Sequence, residues 1–118
     1  MSNDNNNIKV AVRIRPFNDR EKSSSSSCVP AFLFDPSTNQ VQCNVAGQHK
    51  NKIFQFDHAL WSIENDDEVD EKNHNFPRTI TQEDCFEIIG RPVLHHARGG
   101  YNGTIFSYGM TGSGKTHT

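Results

Sequence analysis

The sequence has little apolar material and no long apolar run. Hydrophobic residues make up 33% of its 118 positions, and no stretch approaches the ~18 consecutive apolar residues of a membrane-spanning helix. Basic and acidic residues nearly balance, at 12 and 14, for a formal net charge of −2. That balance removes the electrostatic argument for nucleic-acid binding or for a polybasic membrane anchor.

Cysteine is also scarce. The three cysteines, Cys28, Cys43 and Cys85, are odd in number and widely spaced, which suits neither a disulfide framework nor a zinc site. Reduced thiols in the cytosol are the expected state. The first seven residues, MSNDNNN, are all polar apart from the initiator methionine. We therefore expect no signal peptide and interpret residues 1–7 as a disordered leader.

What the sequence does contain is a series of short strand patterns. Residues 8–17 alternate apolar and polar side chains, which predicts a strand with one apolar face that ends at Pro16. Residues 31–34 and 40–45 are joined by DPSTN, and this arrangement predicts a hairpin. Residues 52–61, KIFQFDHALW, predict one further strand.

Two polar stretches separate these patterns. Residues 18–27 carry charges followed by a run of serines. They are predicted to be a solvated linker, because they have too little apolar surface to offset the entropy of ordering. Residues 62–75 hold a cluster of acidic side chains and are predicted to be a surface loop.

A helix is predicted to begin at Thr81, since Thr81 and Asp84 have the spacing of a capping box. Pro92 interrupts the pattern and predicts a kink or an early end, and residues 99–100, two glycines, predict the stop. Residues 104–108, TIFSY, predict a short central strand. The apolar face of the helix consists of Phe86, Ile89, Val93, Leu94 and Ala97.

The strongest signal is a glycine-rich loop directly after that strand. It fits G-x-x-x-x-G-K-[ST] at every fixed position, and chance gives a match only about once in 25,000 positions. Glycines permit positive φ, so that successive backbone N–H groups can point into one anion-binding hollow. The predicted nucleotide-binding loop comprises Gly109, Met110, Thr111, Gly112, Ser113, Gly114, Lys115 and Thr116.

Two side chains of the loop have predicted roles of their own. Lys115 would place its ammonium against the β and γ phosphates, and Thr116 would place its hydroxyl on Mg²⁺. A flexible Gly/Ser linker is the plain alternative for such a composition. It explains neither the spacing of the lysine nor the strand pattern before the loop.

These motifs stand in the order found in one family. Residues 100–118 read GYNGTIFSYGMTGSGKTHT and closely resemble the nucleotide-binding segment of the kinesin motor domain. Residues 8–21, IKVAVRIRPFNDRE, resemble its first strand. Residues 54–61 and 81–103 are similar to its next strand and helix. The stretch FDHALWS and the long loop after it resemble the kinesin-3 branch.

The resemblance implies an α/β fold of the P-loop NTPase (kinesin motor) type. Residues 8–118 would form its incomplete amino-terminal part, a mixed central sheet flanked by helices that ends at the P-loop. The resemblance also implies ATP and Mg²⁺ as ligands. For the full-length parent it implies a microtubule-stimulated ATPase, with microtubules as partner, in the cytoplasm on the cytoskeleton.

The resemblance adds a base-binding end to the predicted site. In the family, an R-x-R-P segment and the histidine after the loop threonine line the adenine pocket. Arg13, Arg15, Pro16 and His117 occupy those positions here. Met110 stands where many members carry glutamine, at a free x position of the loop motif.

The chain departs from the family pattern by what it lacks. The switch motifs N-x-x-S-S-R-S-H and D-x-x-G-x-E do not occur in its 118 residues, so no catalytic residue is assigned. We expect the chain to be the amino-terminal third of a motor domain, poorly folded and without ATPase activity by itself. Two other interpretations stay open: a non-catalytic kinesin-like fragment, and an unrelated P-loop nucleotide-binding protein.

Overall fold

The strands of the protein form two small sheets. The computed structural model describes residues 8–24, 32–35, 37–43, 52–63 and 78–118; the predicted leader and most of the predicted loop of residues 62–75 lie outside these. One sheet pairs β1 with β5, and the other has the order β2-β3-β4. The elements are β1 (Ala11–Ile14), α1 (Asp19–Ser24), β2 (Phe32–Asp35), β3 (Gln40–Cys43), β4 (Lys52–Gln55), β5 (His58–Trp61), α2 (Gln82–Cys85), a π-helical turn (Phe86–Gly90) and α3 (Arg91–Arg98).

β1 and β5 pair in parallel, with Ala11 opposite His58. Just before the paired residues, the N–H of Val10 donates to Asp57 Oδ2 at 2.8 Å. The N–H of Asp57 donates in return to the Val10 carbonyl at 3.0 Å. The strand predicted for residues 8–17 is thus paired over its central four residues.

The predicted hairpin is present. β2 and β3 are antiparallel, with Asp35 opposite Gln40. In the turn, Asp35 Oδ1 accepts a hydrogen bond from the N–H of Ser37 at 3.0 Å. Asn39 has φ 54°, the left-handed conformation that asparagine tolerates better than most residues. Pro36, the other predicted turn residue, lies outside the described residues.

The prediction of a single strand over residues 52–61 is wrong. β4 pairs with β3 and β5 pairs with β1, so the chain changes sheets between them. Asn39 contacts the chain on both sides of this change of sheet. Its backbone oxygen accepts from the N–H of Phe56 at 3.1 Å, and its Oδ1 accepts from the N–H of Ala59 at 3.1 Å. Both halves have strand-like composition, so the change of partner strand could not be predicted from local composition.

The core lies between the two sheets. Phe34 and Val41 from one sheet pack with Trp61 from the other. The Phe34 ring meets the Trp61 ring edge-on, with centroids 5.4 Å apart, the arrangement that aromatic pairs prefer. Partly buried side chains complete the cluster: Val12, Ile14, Phe56, Ala59 and Ile63.

The prediction of a solvated linker over residues 18–27 is wrong for its first part, which forms α1. Asn18 Oδ1 accepts from the N–H of Glu21, and Glu21 Oε2 accepts from the N–H of Asn18, both at 2.9 Å. This reciprocal pair satisfies two backbone donors that a helix start otherwise leaves unbonded. This cap therefore stabilises a short helix despite the polar composition of the segment. Residues 25–27 lie outside the described residues.

The predicted helix start is present. Thr81 Oγ1 accepts from the N–H of Asp84 at 3.2 Å, and Asp84 Oδ2 accepts from the N–H of Thr81 at 2.9 Å. Arg78 reinforces the same carboxylate with a 2.7 Å ion pair. Hydrogen bonds from Thr81, followed by the charge of Arg78, lower the pKa of Asp84 below its ordinary value.

Pro92 alters the helix through the turn before it. The N–H of Arg91 donates to the carbonyl of Phe86, five residues back, which makes this turn wider than an α-helical one. The helical segment continues without a gap from α2 through this turn into α3, so the early end predicted at Pro92 does not occur, and Pro92 lies in the first turn of α3. The helix ends as predicted at residues 99–100, where Gly100 has φ 89°.

The prediction of a strand over residues 104–108 is wrong. In the part of the chain that the structure describes, this segment pairs with neither sheet. Phe106 is 90% exposed and Tyr108 is fully exposed. Strand preference reflects packing against neighbouring strands, and no neighbouring strand lies beside this segment among the described residues. The apolar helix face is likewise half-exposed at Phe86 and Leu94.

Substituting two phenylalanines of the three-stranded sheet, one at a time, tests where the core lies. Phe34 is 8% exposed and Phe54 is 47% exposed. Phe34→Ala is expected to lower the free energy of unfolding by about 3 kcal/mol, because it leaves a cavity against Trp61. Urea unfolding of the complete parent protein measures this loss.

Phe54→Ala is the matched control, since it removes the same side chain from a half-exposed position. Its cost is expected to stay within about 1 kcal/mol. Equal losses in the two variants would contradict a core centred on Phe34 and Trp61.

Candidate functional site

The glycine-rich loop has the backbone conformation that its motif predicts. Gly112 and Gly114 have φ 80° and 93°, in the left-handed region that favours glycine. The loop closes on itself where the N–H of Ser113 donates to the Met110 carbonyl at 3.0 Å. At Gly112 no atom lies within 4 Å of the position that a Cβ would take, so this part of the loop is open on one side.

Lys115 reaches back to the start of the loop. Its Nζ donates to the Gly109 carbonyl at 2.7 Å and to the Met110 carbonyl at 2.9 Å. Hydrogen bonds from a charged ammonium are stronger than neutral ones, so these two contacts hold the lysine against the loop. The Thr116 side chain is exposed.

β1 contributes Arg13, and Arg15 follows directly after its end; residues two apart on an extended chain share a face. Arg15 Nε donates to the Gly112 carbonyl at 3.0 Å. Its remaining nitrogens donate to the Pro16 carbonyl at 2.8 Å and to both carboxylate oxygens of Glu21 at 2.8 and 2.7 Å. Arg15 therefore joins β1, α1 and the loop.

Arg13 connects β1 to the segment after the loop. Its Nε donates to Ser62 Oγ at 2.9 Å, and NH1 donates to Gln82 Oε1 at 2.7 Å and Thr118 Oγ1 at 3.2 Å. Gln82 Nε2 donates onward to the His117 carbonyl at 2.8 Å. The Arg13 guanidinium thus contacts Ser62 after β5, Gln82 at the start of α2, and Thr118. His117 joins this group through Gln82.

These contacts surround a cavity of about 540 Å³, within the range of roughly 300–1,000 Å³ that is common for small-molecule sites. Half of its lining was predicted as site residues: Arg13, Arg15, Pro16, Gly112, Ser113, Gly114 and His117. The other half was not: Phe17, Asn18, Ser62, Thr79, Ile80, Thr81 and Thr118. The remaining predicted residues belong to the loop but do not line this cavity: Gly109, Met110, Thr111, Lys115 and Thr116.

Sequence analysis missed three residues that hold the site together. Glu21 carried a usable signal, because Asn18 and Glu21 have the spacing of a capping box. Ser62 and Gln82 carried none. Ser62 is buried and donates to the Ile80 carbonyl at 2.8 Å, although the acidic stretch that begins at Glu64 favoured a surface loop.

Among the described residues, a magnesium ion would find few ligands. Within the described ranges, no group of three or more His, Cys, Asp or Glu side chains could hold a metal. The exposed Thr116 hydroxyl is an oxygen donor of the kind that Mg²⁺ prefers, and Mg²⁺ commonly completes its shell with phosphate oxygens and water. The donor set therefore fits Mg²⁺ bound together with a phosphate ligand.

The Arg15–Glu21 pair also determines a protonation state. The hydrogen bond from Arg15, followed by that from the Asn18 backbone, lowers the pKa of Glu21 from 4.5 to about 2. The same pairing raises the pKa of Arg15. Both side chains are partly exposed, at 35% and 40%. The pair is charged at every pH above the acid range.

The fold and the loop together define a class. A glycine-rich loop with left-handed glycines and an inward lysine, bonded to a neighbouring parallel strand, is typical of an α/β domain of the P-loop type. The mixture of parallel and antiparallel pairing agrees with the predicted fold class.

Comparison with known proteins identifies the family within that class. Residues 13–118 match the family model of the kinesin motor domain. The chain is 42% identical over 111 residues to Kinesin-like protein unc-104 of Caenorhabditis elegans and 38% identical over 114 residues to Kinesin-like protein KIF1A of Rattus norvegicus. Each alignment covers 94% of this chain and 6% of the relative. These relatives are members of the kinesin-3 family.

A solved structure supports the same assignment. KIF14 with ADP, in complex with a microtubule, superposes with a TM-score of 0.72 at 31% identity, covering 94% of this chain and 27% of that one. The chain belongs to the kinesin motor domain family. The predicted family and fold class are confirmed, and an unrelated P-loop protein is excluded.

Among the residues described here, no helix has the length and apolarity needed to cross a membrane.

The lowered pKa of Glu21 predicts acid sensitivity. A carboxyl whose folded-state pKa is depressed stabilises the fold above its unfolded pKa, and this contribution disappears as pH falls through the folded value. The Arg15–Glu21 bridge is therefore expected to weaken between pH 4.5 and about 2. Glu21→Gln should flatten the fall in melting temperature of the parent protein over that window.

Glu83→Gln is the control for this experiment. Glu83 is an exposed acid whose carboxylate makes no ion pair within the described segments. If Glu21→Gln and Glu83→Gln changed the acid profile equally, the bridge would not be the source of the sensitivity.

Proposed function

We propose that this chain is the nucleotide-binding part of a microtubule-based motor ATPase of the kinesin type. One observation carries the proposal: the Arg15–Gly112 hydrogen bond joins residues 97 positions apart and brings the R-x-R-P strand against the glycine-rich loop. Membership of the kinesin motor domain family supports the same function. Residues 8–118 would form the amino-terminal part of that motor domain.

The loop would hold the phosphates of ATP. Its backbone N–H groups would supply the cradle, and Lys115 would supply a positive charge. In the structure the Lys115 ammonium binds the carbonyls of Gly109 and Met110. We infer that phosphate oxygens take over from these carbonyls as its partners. All eight loop residues belong to this proposed subsite: Gly109, Met110, Thr111, Gly112, Ser113, Gly114, Lys115 and Thr116.

The opposite part of the cavity would hold the base. Pro16 and His117 both line it, and a proline ring and an imidazole can each lie flat against a purine. Arg13 and Arg15 line it too, and their guanidinium planes can stack on an aromatic ring while their edges keep their hydrogen bonds. The proposed ligand is therefore ATP.

Thr116 would give the metal its protein ligand. Its hydroxyl follows Lys115 directly, at the position where P-loop proteins place a Mg²⁺ ligand. Mg²⁺, when bound, neutralises charge on the β and γ phosphates. Lys115 would add its positive charge to the same oxygens.

Hydrolysis and movement are proposed for the parent protein. The chain spans about 6% of the length of unc-104 and of KIF1A and 27% of the KIF14 chain. KIF14 is seen with ADP on a microtubule, which supports a nucleotide ligand and a microtubule partner here. The parent would then act in the cytoplasm, on the cytoskeleton.

A nucleotide-binding protein without motor activity is the second candidate. The switch motifs of the family do not occur in these 118 residues, which cover 27% of the KIF14 chain. Sequencing the complete transcript separates the two. An open frame that encodes S-S-R-S-H and D-x-x-G-x-E supports the motor, and a transcript without them supports the alternative.

Substitution of the loop lysine tests the proposed function. Lys115→Ala in the complete parent is expected to lower microtubule-stimulated ATP turnover by about a hundredfold or more, because it removes the charge that faces the transferred phosphate. A phosphate-release assay with and without microtubules measures the loss.

Lys52→Ala provides the control, since it removes an exposed lysine of β4 and should turn over ATP normally. Microtubule-stimulated turnover that survives in Lys115→Ala would refute the proposed role of the loop.

A further inference from the structure

We propose that Glu21 is a positioning residue for the nucleotide-binding loop. Through Arg15, it holds the Gly112 carbonyl turned toward β1, so that the loop presents N–H groups rather than this carbonyl to a phosphate. The inference rests on the proposed function, because it concerns the same loop and the same ligand.

The peptide group after Gly112 needs such a restraint. Gly112 has φ 80°, and no atom beyond the adjacent residues lies within 4 Å of its would-be Cβ. Glycine visits both halves of φ space, so neither a side chain nor a packed neighbour at that position limits rotation. A carbonyl turned toward a phosphate repels it, whereas an N–H attracts it. The direction of this one peptide group therefore matters for anion binding.

Arg15 supplies the restraint, and Glu21 orients Arg15. Nε of Arg15 binds the Gly112 carbonyl at 3.0 Å, while the other side of the fork makes a bidentate contact with Glu21 at 2.8 and 2.7 Å. A guanidinium is rigid and planar, so fixing one edge fixes the direction of the remaining N–H. A single point contact would leave the Arg15 side chain free to rotate.

Glu21 is itself held by the helix start. Its carboxylate accepts the Asn18 N–H at 2.9 Å, and its own N–H donates to Asn18 Oδ1 at 2.9 Å. Orientation thus passes from α1 to Glu21, then to Arg15, then to Gly112. The Arg15–Glu21 pair is partly exposed, so solvent screens its contribution to stability. Its direct continuation into the loop distinguishes it from an ordinary surface pair.

The test uses the complete parent protein and measures KM and kcat for ATP separately. Glu21→Gln is expected to raise KM for ATP about tenfold, the lower end of the range for a hydrogen bond to a charged group. kcat should stay within about twofold, because a misplaced carbonyl weakens binding in the ground state and the transition state alike. Glu21→Asp, which keeps the charge, should recover part of the affinity.

A second variant keeps the test decisive if Glu21→Gln folds poorly. Arg15→Lys retains a positive charge opposite Glu21 but lacks the Nε donor and the planar fork. It is expected to raise KM for ATP to a similar extent. Glu87→Gln is the matched control, since Glu87 makes a bidentate pair with Arg91 on an exposed helix surface; its KM should equal that of the wild type.

Each result decides the inference. A wild-type KM in Glu21→Gln or in Arg15→Lys would overturn it. A lowered apparent kcat with unchanged KM would also overturn it, since that pattern reports a smaller folded fraction and a purely structural role. A wild-type parent that neither binds nor hydrolyses ATP would refute the proposed function and this inference together. Normal wild-type turnover with normal Glu21→Gln kinetics would refute the inference alone.

Discussion

The hydrogen bond from Arg15 to the Gly112 carbonyl is the contact on which the site depends. It joins Arg15, directly after the first strand, to the glycine-rich loop across 97 positions of sequence. A neutral side chain could also reach a carbonyl, but only arginine can bind the loop and a carboxylate simultaneously through a planar fork. The contact brings Arg15 and the glycine-rich loop, both part of the proposed site, to the same cavity.

The rest of the described structure holds β1 in place for this contact. Asp57 sets where β1 meets β5, and Asn39 lets the chain cross from one sheet to the other. Trp61 and Phe34 then pack the sheets together. Arg13 adds a second connection from β1, to Ser62 and Gln82. The small antiparallel sheet thus acts as a support for the strand that carries the arginines.

The features predicted correctly are those that depend on residues close to one another in the sequence. The glycine-rich loop, the Thr81 cap and the hairpin each depend on residues close in sequence, and the structure contains all three. The wrong predictions concern segments whose structure depends on residues far away in the sequence. Residues 104–108 have strand composition, yet a strand requires a neighbour. Ser62 lines the cavity because Arg13 and the Ile80 carbonyl reach it, and its own sequence neighbourhood cannot show either.

Backbone amide hydrogen exchange in the complete parent protein tests the central claim most directly. If β1 and the glycine-rich loop form one nucleotide site, ATP should slow exchange of the amides of residues 112–115, while the β2-β3-β4 sheet should exchange as before. Exchange in the loop that is the same with and without ATP would contradict the account.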